Sequence, residues 1–195
     1  MPRKTRELLT GGIYHIYSRG NNRQDLFLDA DDFKRYCAFL YVIKARFGVE
    51  IFHYCLMSNH VHILVRVGLA ESLCPFMHGV QLSHTRHYKK KYRFVGHLYQ
   101  GRFHSPRISV ESYYLQCGRY IERNPVKAGM VVAAEQYEYS SARYYALGNP
   151  DDLVSPSLYY GQIGSDAAER QKRYREFLKL DEPYAEIIAD TLNRV

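Results

Sequence analysis

The segment Cys55-Leu56-Met57-Ser58-Asn59-His60-Val61-His62-Ile63-Leu64-Val65 constrains this chain more than any other. Ser58-Asn59 reads as a short hairpin connection between two extended runs, Val49 to Met57 and Val61 to Val67. Side chains of a strand alternate between its faces, so His60 and His62 share one face while Val61 and Ile63 enter the core behind it. Two neutral imidazoles on one face of a rigid element make half of a site for a divalent ion. Two solvated polar positions on an exposed strand would give the same pattern.

The remaining elements follow from periodicity. Ile13 to Ser18 predicts a first strand, ended by the turn-prone Arg19-Gly20-Asn21-Asn22. Residues 30–47 predict a helix with Phe33, Tyr36, Leu40, Ile43 and Phe47 as its buried stripe, Asp31 or Asp32 as its cap and Gly48 as its stop. A second helix over residues 72–92 carries Arg86, Lys89, Lys90 and Lys91 near its C-terminal end, where cations suit the helix dipole. A fourth strand spans Phe103 to Val110, and a third helix runs from Glu111 towards Asn124. The order βαββαβ plus C-terminal helices is that of an α+β, ferredoxin-like or RRM-like antiparallel sheet with its two main helices on one face. The other face is expected to be open, a natural bed for a nucleic-acid strand. The turn-rich stretch 147–152 divides a domain over 1–147 from a C-terminal helical extension over 148–195. In that extension Tyr174, Phe177 and Leu178 predict a helix that packs back on the domain, with a further helix over 181–195.

With 195 residues, 46% of them hydrophobic, the chain can build one substantial core. Cys37, Cys55, Cys74 and Cys117 form no CxxC pair, which suits free thiols in a reducing cytoplasm. No run approaches the ~20 apolar residues that span a bilayer, and no signal-like segment follows the basic N-terminus. A soluble, cytoplasmic protein without a membrane partner is the expectation. Charge is uneven: residues 1–130 carry 20 Lys and Arg against 9 Asp and Glu, net +11, whereas residues 131–195 carry 7 against 11, net −4. The basic part also holds all nine histidines. Such a field attracts polyanions, and 19 tyrosines and 9 phenylalanines add stacking platforms for single strands.

The paired histidines lack a reactive partner, and Arg119-Tyr120-Ile121-Glu122-Arg123-Asn124-Pro125-Val126-Lys127 supplies one. In a continuous helix Tyr120 and Asn124 share a face, so a phenol and an amide oxygen can approach one ion. Pro125, however, disfavours helical geometry at Asn124, and Asn-Pro is also a good N-cap followed by a first helical position. Capping is the reading that backbone rules favour, and both roles coexist only if the helix continues through residue 124. The chemistry that needs this set is transesterification of a phosphodiester, with a metal drawing charge from a phosphate oxygen while a phenol attacks phosphorus. Arg19, Arg102, Arg107, Arg119, His104 and the run from Arg86 to Lys91 are candidates to hold flanking phosphates, or are solvated charges. His53 reads as a hydrogen-bonded sheet histidine, His78, His84, His87 and His97 as surface positions, and Tyr113 and Tyr114 as packing residues.

Four motifs in order, Tyr14-His15-Ile16-Tyr17-Ser18-Arg19-Gly20-Asn21, His60-Val61-His62, Gln100-Gly101-Arg102-Phe103-His104-Ser105 and Tyr120-Ile121-x-x-Asn124-Pro125-Val126-Lys127-Ala128-Gly129, resemble the single-tyrosine HUH transposases. Within these, the chain is similar to the branch associated with repetitive extragenic palindromes, over about residues 10–147. The resemblance implies a ferredoxin-like HUH domain, Mg2+ or Mn2+ held by His60, His62 and Asn124, and Tyr120 as nucleophile. It further implies single-stranded or hairpin DNA as substrate, cut through a covalent 5′-phosphotyrosine; the charge pattern offers Arg19, Arg86, Lys89, Lys90, Lys91, Arg102, His104 and Arg107 as the DNA contacts. Such enzymes act as monomers or as homodimers that exchange the tyrosine helix. The alternatives are a non-catalytic RRM-like single-strand binding module and a metal-dependent nuclease that activates water.

Overall fold

In a computed structural model, which describes residues 6–109, 111–157 and 159–180, the core elements are β1 (Ile13–Arg19), α1 (Ala30–Phe47), β2 (Val49–Leu56), β3 (His60–Val67), α2 (Leu73–Tyr92), β4 (Arg107–Ile108) and α3 (Glu111–Lys127). The short α4 (Ala142–Leu147) and then α5 (Ala167–Lys179) follow. All strand pairs are antiparallel in the order β2-β3-β1-β4, which is the expected ferredoxin-like α+β arrangement. The side chain of Tyr113, the end of the expected fourth strand at Val110 and the expected helix over 181–195 lie outside the described residues.

Register follows from the apolar pattern. Tyr14 and Ile16 of β1 and Val61, Ile63, Val65 and Val67 of β3 are buried in one cluster with Tyr36 and Leu40 of α1 and Phe76, Met77 and Val80 of α2. Each large apolar side chain removed from water stabilises the fold by roughly 1.5–3 kcal/mol. A one-residue slip of β3 would exchange its valines for His60 and His62, so the core itself aims the histidines. The cap of α1 is Asp29, not Asp31 or Asp32: Asp29 accepts from the Asp32 backbone N–H at 3.2 Å, while Asp32 Oδ2 reaches back to the Leu28 N–H at 2.8 Å. Gly48 ends the helix at φ 61°, a left-handed conformation that costs glycine little.

Two expectations are corrected. The fourth strand shrinks to Arg107–Ile108, because Pro106 has no N–H to donate and gives only its carbonyl, to His15 N at 3.0 Å. His104 still pairs with Tyr17 through two backbone hydrogen bonds of 2.9 and 3.1 Å. The second sheet face is not open. A register shift between Ile51 and His53 turns both Phe52 and His53 towards α3, and Phe52, Cys55 and Leu64 pack with Tyr114, Cys117, Tyr120 and Ile121 of that helix. An apolar second face needs a cover, and amphipathic α3 provides it.

The segment after α4 joins the same core. Val154 bridges Ile51, with Ser155 N donating to Ile51 O at 2.7 Å, and Leu153, Val154, Tyr174 and Leu178 are buried in the main cluster. The helix expected at Tyr174, Phe177 and Leu178 is α5. Among the described residues the four cysteines form no disulfide, and no helix is long and apolar enough to cross a membrane.

Candidate active site

Strand pairing sets Tyr17 of β1 opposite His62 and Arg19 opposite His60, so the outward faces of β1 and β3 form one surface. Helix α3 crosses that surface and lays Tyr120 edge-on to His62, with ring centroids 5.6 Å apart and planes at 90°. His60, His62, Tyr120 and Asn124 line a cavity of about 400 Å3 together with Tyr17, Arg19, Arg23, Asn59, Gln100, Arg102 and His104. The phenol therefore meets the histidines of its own chain.

Hydrogen bonds decide which ring nitrogens are spare. Asn59 donates its amide to the Arg23 carbonyl at 3.3 Å, which leaves its Oδ1 to face His60 Nδ1 at 2.7 Å. His60 Nδ1 therefore donates to Asn59, and the ring also shares a hydrogen bond with Asn124. His62 Nδ1 lies 2.9 Å from His15 Nε2, leaving its Nε2. Burial lowers the pKa of His60; a hydrogen bond with Asn124 opposes the shift and Arg19 adds to it. Burial holds His62 well below the usual histidine range, and His15 and His60 reinforce this; burial alone lowers His15 to about 3. All three rings are thus neutral near pH 7, the form in which an imidazole ligates a metal.

Helix α3 keeps its geometry through Asn124 to Lys127, with Pro125 inside it, so Asn124 is not an N-cap. Pro125 has no N–H to give the Ile121 carbonyl, and Asn124 Nδ2 takes that place at 3.2 Å while also donating to the Tyr120 carbonyl at 2.8 Å. The amide nitrogen is thereby committed to the helix. The Lys127 ammonium sits 4.8 Å from the Tyr120 ring centroid, two turns further along the helix.

Of the expected DNA contacts, Arg19, Arg102 and His104 line the cavity, and Arg19 Nε is hydrogen-bonded to Gln100. Exposed Arg86, Lys89 and Lys90 project from α2, which packs on the opposite sheet face, and Arg107 is exposed on β4; none of the four lines the cavity. Lys91 is not available to a phosphate. Its ammonium lies 2.7 Å from Asp29, 3.1 Å from Asp31 and 3.0 Å from Asp32. Asp31, Asp32 and His87 bring metal-capable atoms within 4.8 Å of one another, but Lys91 already supplies the cation there. Arg119 is buried beneath Phe177, its guanidinium 4.8 Å from that ring, so it is not a phosphate contact either.

Two further histidines depart from the surface positions expected of them. His84 is fully buried and bonded to the Tyr99 hydroxyl at 2.7 Å, and His87 holds Asp32 at 2.8 Å. His53 is the expected sheet histidine: its Nδ1 lies 2.9 Å from buried Glu122, which also accepts from Ser141 at 2.6 Å and Tyr174 at 2.7 Å. Sequence reasoning missed Arg23, Gln100, Asn59 and Tyr17 as cavity residues. Tyr17 is buried, stacks on His104 at 4.6 Å, and its hydroxyl has no hydrogen-bond partner. The alternation that pairs His60 with His62 also puts His15, Tyr17 and Arg19 on one face, and that was the usable signal.

A solved structure of a REP-associated tyrosine transposase bound to a REP hairpin matches 81% of this chain and 93% of its own, with TM-score 0.65 and 19% identity. A candidate transposase from Deinococcus radiodurans R1 matches 63% of this chain and 97% of its own, with TM-score 0.42 and 21% identity. No curated protein matches significantly. The family model for IS200-like transposases matches residues 9–124, from the residues leading into β1 to the asparagine beside the cavity. That match takes in the paired histidines, the basic rim and the tyrosine helix, and the chain is therefore a DNA transposase of the IS200-like family.

Proposed function

We propose that this transposase cleaves single-stranded DNA beside a hairpin through a covalent 5′-phosphotyrosine on Tyr120, with Mg2+ or Mn2+ held by His60, His62 and Asn124. One observation carries the reading: a tyrosine and an amide from α3 and two histidines from β3, far apart in sequence, line one basic-rimmed cavity. The donor set fits a divalent cation. Each histidine has its Nδ1 engaged, both rings are neutral, Asn124 already meets the His60 ring, and its amide nitrogen is committed to helix carbonyls, which leaves its oxygen as the ligand atom. The cation supplies Lewis-acid charge at a non-bridging phosphate oxygen.

The chain's own residues do the rest. Arg19, Arg23 and Arg102 bind the phosphates on either side of the scissile bond and align it. The Tyr120 oxygen attacks phosphorus, the bond to the 3′ oxygen breaks, the phenol proton departs to solvent or a cavity base, and the released 3′ oxygen takes up a proton. Lys127, beside the phenol ring, offsets negative charge as it develops there. The bond energy stays in the phosphotyrosine, so a second strand end can reverse the step without ATP. Hairpin DNA is the substrate class because the structural relative was solved with a hairpin. Residues 1–147 form the catalytic unit and residues 148–195 its supporting extension. The non-catalytic binding alternative relied on an open sheet face, and α3 covers it.

Incubation with labelled hairpin DNA and Mn2+ should give a protein–DNA adduct on a denaturing gel for the wild type and none for Tyr120→Phe. Cut ends without adduct from both proteins would establish a water-using nuclease instead.

A further inference from the structure

His15 is fully buried on the site-facing side of β1, and its ring stacks against His62 with centroids 5.1 Å apart. Its Nε2 lies 2.9 Å from His62 Nδ1, while its own Nδ1 is buried without a hydrogen-bond partner. We propose that His15 is a positioning residue whose Nε2 accepts the Nδ1–H of His62, so that His62 turns a bare Nε2 towards a divalent cation. The inference rests on the metal role assigned above to His60 and His62.

A single hydrogen occupies the 2.9 Å gap. If His15 donates it, the proton of neutral His62 sits on Nε2, points into the cavity and repels a cation. If His62 donates it, the Nε2 lone pair is exposed and the ring can ligate. His15 Nδ1 stays unpaired in either case, as an acceptor or as a donor, so the fold alone leaves the choice to the ligand. Metal-binding histidines commonly donate their second N–H to a fixed acceptor, which sets tautomer and ring orientation. The two site histidines are thus oriented from different places: His60 by the oxygen of adjacent Asn59, and His62 by a ring nitrogen from the neighbouring strand.

The test compares His15→Gln, which keeps an acceptor at similar reach, with His15→Phe, which keeps a ring of similar volume and no acceptor. Mn2+ is titrated calorimetrically into the full-length protein without DNA, with thermal unfolding to verify folding. His15→Phe should weaken Mn2+ binding about 10- to 100-fold, and His15→Gln should stay within about threefold of wild type. A packing role predicts the reverse order. Wild-type-like binding by His15→Phe, or an equal loss in both variants, overturns the inference. In the Mg2+-loaded wild type, long-range proton–nitrogen correlations of the rings should place the His62 proton on Nδ1, and a proton on Nε2 overturns it without any variant. His62→Ala separates the two claims. If it leaves the Mn2+ titration unchanged, the metal centre itself is misassigned; if it abolishes binding while His15→Phe does not, only the role of His15 falls.

Discussion

Replacing Tyr174 by Phe tests whether the C-terminal extension holds the tyrosine helix in place. Glu122 lies two residues after Tyr120 on α3 and is fully buried. Its Oε1 accepts from His53 at 2.9 Å and Ser141 at 2.6 Å, and its Oε2 accepts from the Tyr174 hydroxyl at 2.7 Å. This one carboxyl group therefore ties α3 to β2, to the start of α4 and to α5. Burial pushes the Tyr174 phenol well above its usual range, so it stays protonated and donates. Tyr174→Phe keeps the ring packed 5.1 Å from Tyr145 but strips a donor from a buried oxygen. Leaving a buried carboxyl oxygen without one of its donors costs about 1–3 kcal/mol. For a chain of this size each kcal/mol lowers Tm by roughly 2–4 °C, giving a fall of roughly 2–12 °C. Glu122→Ala strands all three donors, at about 1–3 kcal/mol for each buried group left unsatisfied, and should cost at least about 3 kcal/mol. Urea unfolding with an unchanged m-value measures both, and adduct yield on hairpin DNA should fall with them as α3 loosens. If Tyr174→Phe stays within about 0.5 kcal/mol of wild type, the extension is not anchoring the helix through this contact.

His84 is buried and neutral with its pKa lowered to about 4 by burial, whereas in the unfolded chain it titrates near 6.5. The unfolded state therefore takes up the proton first, and stability is lost as pH falls from 6.5 towards 4 at about 1.4 kcal/mol per unit; His84→Gln should remove about 2 kcal/mol of the loss measured by urea unfolding between pH 7 and pH 5. Arg102→Ala should reduce the slope of log K against log salt for DNA binding by about 0.7–0.9, while Lys91→Ala, already claimed by three aspartates, should leave it unchanged. Asn124→Asp puts an acceptor beside the carbonyls of Tyr120 and Ile121 and should cost about 1–3 kcal/mol of stability. In a Pro125→Ala background the restored N–H satisfies Ile121 and the penalty should shrink by about 1 kcal/mol; an uncoupled double-mutant cycle would refute the amide as a repair of the proline break.

The chemistry-bearing residues were readable wherever they sit on one regular element. Alternation put His60 and His62 on one face of β3, and helical spacing put Tyr120 and Asn124 on one face of α3. Both inferences need only the local period of the chain. The sequence alone does not assign Asn124, because Asn-Pro is compatible with a cap and with a helix interior and nothing local chooses between them. The choice comes from α3 lying across an apolar sheet face: burying Ile121 and Cys117 against Leu64 and Cys55 keeps the helix continuous through a residue pair that would otherwise interrupt it.

What was not readable depends on pairing between distant segments. His15 looks like any strand histidine until β1 pairs with β3 at a register that sets Tyr17 opposite His62, which places His15 diagonally beside the same ring. Lys91 is indistinguishable from Lys89 and Lys90 along the chain, yet α2 packs against α1 so that Lys91 meets the acidic cap of α1 while its neighbours remain in water. The same rule explains the covered sheet. The apolar residues that demand a cover, Phe52 and Cys55, belong to β2, and their spacing obeys strand alternation only after the irregularity between Ile51 and His53 is known. A one-residue bulge leaves no mark on composition, but it reverses which side chains face α3, and so it determines that Tyr120 approaches the histidines from a helix seated on the sheet and not across an empty surface.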